Sequence, residues 1–148
     1  MLSIKTPQNK QMEHPQSSEE EKELDKIQIL IAESENELVS LFETYLSLLG
    51  MNVEIASSGE KALDCFLDSK KKDRRYDAII LDTHLSNPSG LDVAKRIRRE
   101  KPDQKIVLVT TTPKEYLPAE CLVTAGINDR DILTMPFRMT KLETALSN

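Results

Sequence analysis

The chain has 148 residues and a mass of 16.8 kDa, enough for one ordinary domain. Its 20 Lys and Arg against 25 Asp and Glu give a formal charge of -5 and a pI near 5.1, which excludes a broadly basic nucleic-acid-coating protein. No window approaches the ~18 uninterrupted apolar residues of a membrane span, and the polar start has no secretory h-region. Residues 1–26 carry Pro7, Pro15, a Gln/Ser-rich stretch and the run Glu19-Glu20-Glu21. They hold too little apolar surface to offset their ordering entropy and read as a mobile polar tail. Ser18 and Glu21 have capping-box spacing for a short helix reaching Lys26.

From Ile27 to Asn148 the pattern alternates. Ile27–Ala32 is an aliphatic run, as a strand buried on both faces requires. Leu38, Leu41, Phe42, Tyr45, Leu46, Leu48 and Leu49 then recur at helical spacing, and Gly50 supplies a stop. Val53–Ala56 reads as a second strand, followed by a helical stripe of Ala62, Leu63, Phe66 and Leu67. The basic segment Lys70-Lys71-Lys72-Asp73-Arg74-Arg75 reads as a solvated loop at the sheet end away from the site. Ala78–Leu81 is the third strand, and Leu91, Ala94 and Ile97 form the apolar stripe of a helix that shows Lys95, Arg96, Arg98 and Arg99 elsewhere. Ile106–Val109 is the fourth strand. The helical pattern Tyr116–Ala125 contains Pro118, which shortens or displaces it. Ile132–Met135 is the fifth strand, and Met139, Leu142 and Leu146 mark the last helix. Cys65 and Cys121 sit in helical patterns with no CxxC and no neighbouring histidine, so they read as two buried thiols in a reducing cytoplasm, not a disulfide or zinc site.

Repeated strand–helix alternation implies an α/β fold with a doubly wound parallel sheet, because right-handed crossovers lay helices on both faces. Ligands bind such sheets at the carboxyl ends of the strands. Those ends carry Glu33-Ser34-Glu35, Asp82, Thr110-Thr111-Thr112 and Met135-Pro136. Two carboxylates and a hydroxyl there suit a hard divalent cation beside a nucleophilic carboxylate.

Ile29–Glu35, Tyr76–Asp82 with Gly90 eight residues on, Val109-Thr110 and Pro136-Phe137 together resemble the receiver domain of two-component response regulators. The resemblance spans about residues 27–146. It implies a flavodoxin-like (βα)5 sheet of strand order 2-1-3-4-5, no enzymatic output, and a histidine kinase or downstream signalling protein as partner. It places Asp82 on the phosphoacceptor, Glu33 on the first member of the Mg²⁺-binding acidic pair, and His84 where a backbone carbonyl ligates the metal. Thr110 falls on the hydroxyl that contacts the phosphoryl group.

Three positions depart from the family pattern. Ser34 stands where the second acid, a direct metal ligand, is usual. Met135 stands where a phosphoryl-contacting Lys is usual, with the following Pro136 retained. Ile132 stands on the aromatic switch position. A charge-assisted hydrogen bond contributes about 1.5–3 kcal/mol, so Met135 costs about one to two decades in phosphoryl stabilisation. Ser34 lowers the ligand charge that tunes hard-cation affinity, so Mg²⁺ is expected to be held weakly or not at all. Glu35 reads as a cap of the first helix rather than a substitute ligand. Ile132 has no ring to rotate, so another element must transmit any signal.

Competing chemistries fail on the same residues. A dehalogenase-type phosphatase needs Asp-x-Asp, and the second position is His84. A flavodoxin phosphate loop after strand one would meet the carboxylates of Glu33 and Glu35. Asp82-Thr83-His84 opens a cobalamin-binding pattern, but Asn87 occupies its glycine position. The sequence therefore reads as a stand-alone, cytoplasmic receiver-like module, monomeric or weakly dimeric, that contacts neither nucleic acid nor membrane directly. Phosphorylation-independent partner binding is favoured over a conventional Mg²⁺-dependent phosphorylation switch. The expected partner face is the fourth helix, strand five and the fifth helix, where Pro118, Ile132 and a roughly two-residue extension at Arg130-Asp131 fall.

Overall fold

A computed structural model describes residues 26–147. The tail expected over 1–26, with its short helix from Ser18, lies outside the described residues save for Lys26. Strands β1 (Gln28–Ala32), β2 (Asn52–Ala56), β3 (Ala78–Asp82), β4 (Ile106–Thr110) and β5 (Ile132–Thr134) form one parallel sheet in the order β2-β1-β3-β4-β5. Helices α1 (Asn36–Leu48), α2 (Gly59–Lys71), α3 (Gly90–Glu100), α4 (Ala119–Thr124) and α5 (Met139–Ser147) connect or follow the strands.

Strand pleating divides the core into two layers. Ile29, Ile31, Ile80, Val107, Val109 and Leu133 pack with Phe42 and Leu46 of α1 and Leu142 of α5. Leu30, Ile79, Leu81, Leu108 and Ile132 face the other way, onto Phe66 of α2, Val93 and Ile97 of α3 and Ala125 after α4. Each such aliphatic side chain contributes about 1.5–3 kcal/mol on burial, so the central strands can be apolar on both faces.

The local signals behave as their chemistry requires. Ser58 and Ser89 accept hydrogen bonds from the N–H groups of Lys61 and Asp92 at 3.1 and 3.2 Å, capping α2 and α3. Gly50 follows α1 at φ +87°, a conformation that costs glycine least. Pro118 occupies the N-cap of a six-residue α4, and the preceding residues form a short 3-10 turn at Lys114–Tyr116. The expected shortening at Pro118 is therefore present.

Several boundaries differ from expectation. Ile27 precedes β1 and is exposed, while Met135 follows β5 and lies in the connection to α5. Asp82 and Thr110 are the last residues of their strands, held by ladder pairing that hydrophobicity alone does not mark. The cysteines are half-buried, not buried, and Cys65 packs at the margin of the α2-side core. Burial, followed by the nearby Glu54 carboxylate, pushes the Cys65 thiol up to about 11. At Asp129–Asp131 a 3-10 turn precedes β5. Its Asp131 is buried and pairs with Lys105 at 2.8 Å, tying the start of β5 to the start of β4.

Candidate functional site

The ladder registers bring the expected residues to one edge of the sheet. Ala32 pairs with Leu81, Asp82 with Val109 and Thr110 with Thr134, so residues just beyond β1, β3, β4 and β5 share the carboxyl edge. Glu33 is 1% exposed, Asp82 8% and Thr110 0%, which sets these polar groups apart from an ordinary solvated rim.

Glu33 follows β1, and its N–H donates to the Ala56 carbonyl at 3.0 Å. Its Oε2 accepts the N–H groups of Ser34 and Glu35, each at 3.1 Å. Its Oε1 is buried without a hydrogen-bond partner among the described residues. Burial is the largest influence on this carboxyl, and the adjoining Asp82 adds to it; together they push Glu33 up to about 8. The other buried polar side chains are partnered, for example Ser69 to the Phe66 carbonyl and Gln104 to the Tyr76 carbonyl. A buried carboxyl with a raised pKa beside a second buried carboxyl is therefore a specific feature of this edge.

Asp82 Oδ1 accepts the His84 N–H at 2.8 Å, and the His84 Nδ1 lies 3.5 Å from the same oxygen. The β3–α3 connection is pressed close here. A methyl group on Gly90 would fall inside the Asp82 carbonyl and against the Thr83 Cα, so the helix start sits directly under the acid. Thr110 Oγ1 accepts from the Thr83 hydroxyl at 2.7 Å and from the Thr112 N–H at 3.0 Å.

The departing positions are equally defined. Ser34 is exposed beside Glu33. Met135 donates its N–H to the Thr110 carbonyl at 2.8 Å, while its half-buried side chain packs against the α1/α5-side core. Ile132 is buried at 5% among Leu108, Leu117, Ala125 and Ile127. The Met135–Pro136 peptide bond is cis. Glu35 occupies the N-cap of α1, but its side chain makes no cap hydrogen bond. The expectation that Glu35 caps this helix is thus corrected: its exposed side chain has solvent available, whereas the Glu33 carboxylate collects the loop N–H groups. Thr83 is the site residue that sequence reasoning left unassigned; its only local signal is a hydroxyl directly after Asp82.

A parallel flavodoxin-like sheet with a buried acidic pair at its carboxyl edge defines a receiver-type signalling module. The chain belongs to the response regulator receiver domain family, whose model matches residues 29–147. It is 30% identical over 114 residues to the response regulator ArlR of Staphylococcus haemolyticus, covering 77% of this chain and 48% of that protein. It is 29% identical over 109 residues to the alkaline phosphatase synthesis transcriptional regulatory protein PhoP of Bacillus subtilis, covering 74% of this chain and 42% of that protein. The chain thus spans about half the length of the curated relatives it matches. A receiver protein from Sinorhizobium medicae superposes with a TM-score of 0.68 at 30% identity, over 84% of this chain and 94% of that one. The response regulator TrrA of Thermotoga maritima, solved in complex with Mg²⁺-BeF, gives 0.67 at 28% identity, over 82% and 96%. The family places this chain in two-component signalling. Among the described residues no helix is long and apolar enough to cross a membrane.

The residues present fit a hard divalent cation in part. The unpartnered Glu33 Oε1 and the adjoining Asp82 carboxylate are suitable donors. Among the described residues no three His, Cys, Asp or Glu side chains form a metal-ligating group. Ser34→Asp is expected to tighten Mg²⁺ binding at least about fivefold, since one unit-charge pair at 4 Å contributes about 1 kcal/mol even in water. Calorimetric titration of both proteins measures this, and equal affinities would show that Ser34 does not limit binding.

Proposed function

We propose that this chain is a receiver module of two-component signalling that acts by binding a protein partner, with Asp82 at the phosphoacceptor position of a degenerate site. Glu33, Asp82 and the His84 carbonyl would hold Mg²⁺, weakly because Ser34 adds no charge. Thr110 would contact the phosphoryl group. The observation that carries the degenerate reading is the packing of Met135 against the apolar core, which leaves no ammonium from that position to meet a phosphoryl dianion. Ile132, enclosed in the opposite core layer, adds to it. The partner is a sensor histidine kinase or a downstream signalling protein in the cytoplasm, and its docking face is α4–β5–α5. Tyr116 and Val123 are 78% and 80% exposed beside that face.

Conventional Mg²⁺-dependent phosphorylation is the second reading, favoured by the intact Asp82 and the free Glu33 oxygen. Incubation with acetyl phosphate and Mg²⁺, read by intact mass, separates the two. Wild type is expected to give little or no adduct, and Asp82→Asn none. Met135→Lys with Ser34→Asp is expected to gain adduct about tenfold or more, because the ammonium faces the new dianion. Stoichiometric phosphorylation of wild type that changes partner affinity would establish the conventional switch, since a ligand shifts an equilibrium only by its differential affinity for two states.

A further inference from the structure

The hydroxyl and imidazole groups of this edge form a continuous line. The His84 N–H donates to Asp82 Oδ1 at 2.8 Å. The His84 Nδ1 lies 3.3 Å from Thr83 Oγ1. Thr83 Oγ1 donates to the fully buried Thr110 Oγ1 at 2.7 Å, which also accepts the Thr112 N–H at 3.0 Å. The line therefore runs from Asp82 at the end of β3 to the loop that leads from β4 to α4.

This arrangement answers the question raised by Ile132. The side chain there is apolar and buried within the same core layer as Leu117 and Ile127, so it offers no hydroxyl and no rotating ring to report events at Asp82. The Thr110 hydroxyl, in turn, is already engaged from two sides. Thr110 accepts in both bonds, so its own proton remains free to donate to an acceptor group on Asp82. Any rotation of Thr110 toward such a group, however, has to stretch or break the bond from Thr83. We propose that Thr83 is a positioning residue: its hydroxyl holds Thr110 in one rotamer and couples the acidic site to residues 111–117, in place of the missing aromatic switch. The proposal rests on reading Thr110 as the switch hydroxyl. It concerns a packed hydrogen bond rather than phosphorylation, so it can be tested with or without a ligand.

Valine is isosteric with threonine and lacks the hydroxyl, whereas serine keeps it. In the ligand-free 148-residue chain, Thr83→Val should release the Thr110 side chain to average between rotamers, seen in NMR side-chain couplings. It should also speed amide exchange at Thr112 and its loop neighbours about fivefold, the effect of one net neutral hydrogen bond. Thr83→Ser should restore the wild-type couplings and exchange. The β1 amides Ile29–Ala32 report the stability of the whole sheet and should not change. A Thr110 rotamer and loop exchange unaltered in Thr83→Val would overturn the assignment. Equal acceleration in β1, or failure of Thr83→Ser to rescue, would also overturn it by marking a merely structural role. A second arm adds Mg²⁺ with beryllofluoride. If wild type loads, shifts at residues 111–117 should shrink in Thr83→Val and return in Thr83→Ser; unchanged shifts would count against the coupling. If neither protein loads, the conventional phosphorylation reading fails and the degenerate one stands, and the ligand-free arm still decides the role of Thr83.

Discussion

Gly90→Ala is expected to lower the unfolding free energy by about 1–2 kcal/mol, a change that urea denaturation would measure. Alanine in the first turn of a helix would ordinarily gain a few tenths to 1 kcal/mol through lower unfolded-state entropy and better propensity. Here the added methyl meets backbone on the β3 side, the Asp82 carbonyl and the Thr83 Cα, neither of which can rotate away. Overpacking of this kind typically costs 1–3 kcal/mol, and a methyl that overlaps backbone lies toward the upper end, so about 1–2 kcal/mol of destabilisation remains after the propensity gain. The displaced β3–α3 connection starts directly after Asp82, so Mg²⁺ affinity is expected to fall along with stability. A variant as stable as wild type would show that this connection yields freely, and that the close approach does not hold Asp82 in place.

The second large effect is a pH dependence with an unusual sign. Most carboxylates that matter to folding have lowered pKa values, so their stabilisation is lost on acidification. Glu33 is the reverse case. Burial and the neighbouring Asp82 raise it from 4.5 to about 8 in the folded chain, while the unfolded chain keeps the ordinary value. Between those two values the folded state binds more protons than the unfolded state. The stabilisation from this group is therefore full below about pH 4.5 and declines as pH rises through about 8. Without divalent cations, denaturant unfolding should show the Glu33 contribution decreasing from pH 5 to pH 8. Glu33→Gln, a neutral isostere, should remove that part of the slope and be the more stable protein at pH 8. Mg²⁺ favours the charged pair, so it should stabilise wild type more at pH 8 than at pH 5 and do little for Glu33→Gln. A Glu33→Gln protein with the same pH slope as wild type would refute the assignment of this dependence to Glu33.

The elements and their order were legible because each depends on neighbours in the chain. Ile29–Ala32, Ala78–Leu81 and Ile106–Val109 are apolar at successive positions, and their shortness and aliphatic, largely β-branched content mark them as strands covered on both faces. Ser58 and Ser89 mark helix starts through bonds that close within three residues. Pro118 limits α4 by its own ring geometry. The acidic edge was legible too, because strand–helix alternation puts every strand's carboxyl end on one side. The departures at Ser34, Ile132 and Met135 were visible only through the family resemblance, which supplies the residues expected there.

What the sequence by itself determined about this protein is the parallel sheet, its helical cover, and the gathering of Glu33, Asp82 and Thr110 at one edge. Tertiary structure alone decided what those groups experience. Whether a Glu33 oxygen finds a donor depends on how β1 and β3 align, and no spacing encodes that desolvation. The Thr83–Thr110 bond joins residues 27 apart, and the Lys105–Asp131 pair joins residues 26 apart, across neighbouring strand ends. Glu35 looks like a cap in one dimension, yet Glu33 collects the N–H groups because the turn after β1 folds back on it. The reason is common to all of these. Secondary structure follows from interactions within a few residues, whereas burial, carboxylate pairing and hydroxyl partnering depend on chain segments brought together only when the sheet has formed.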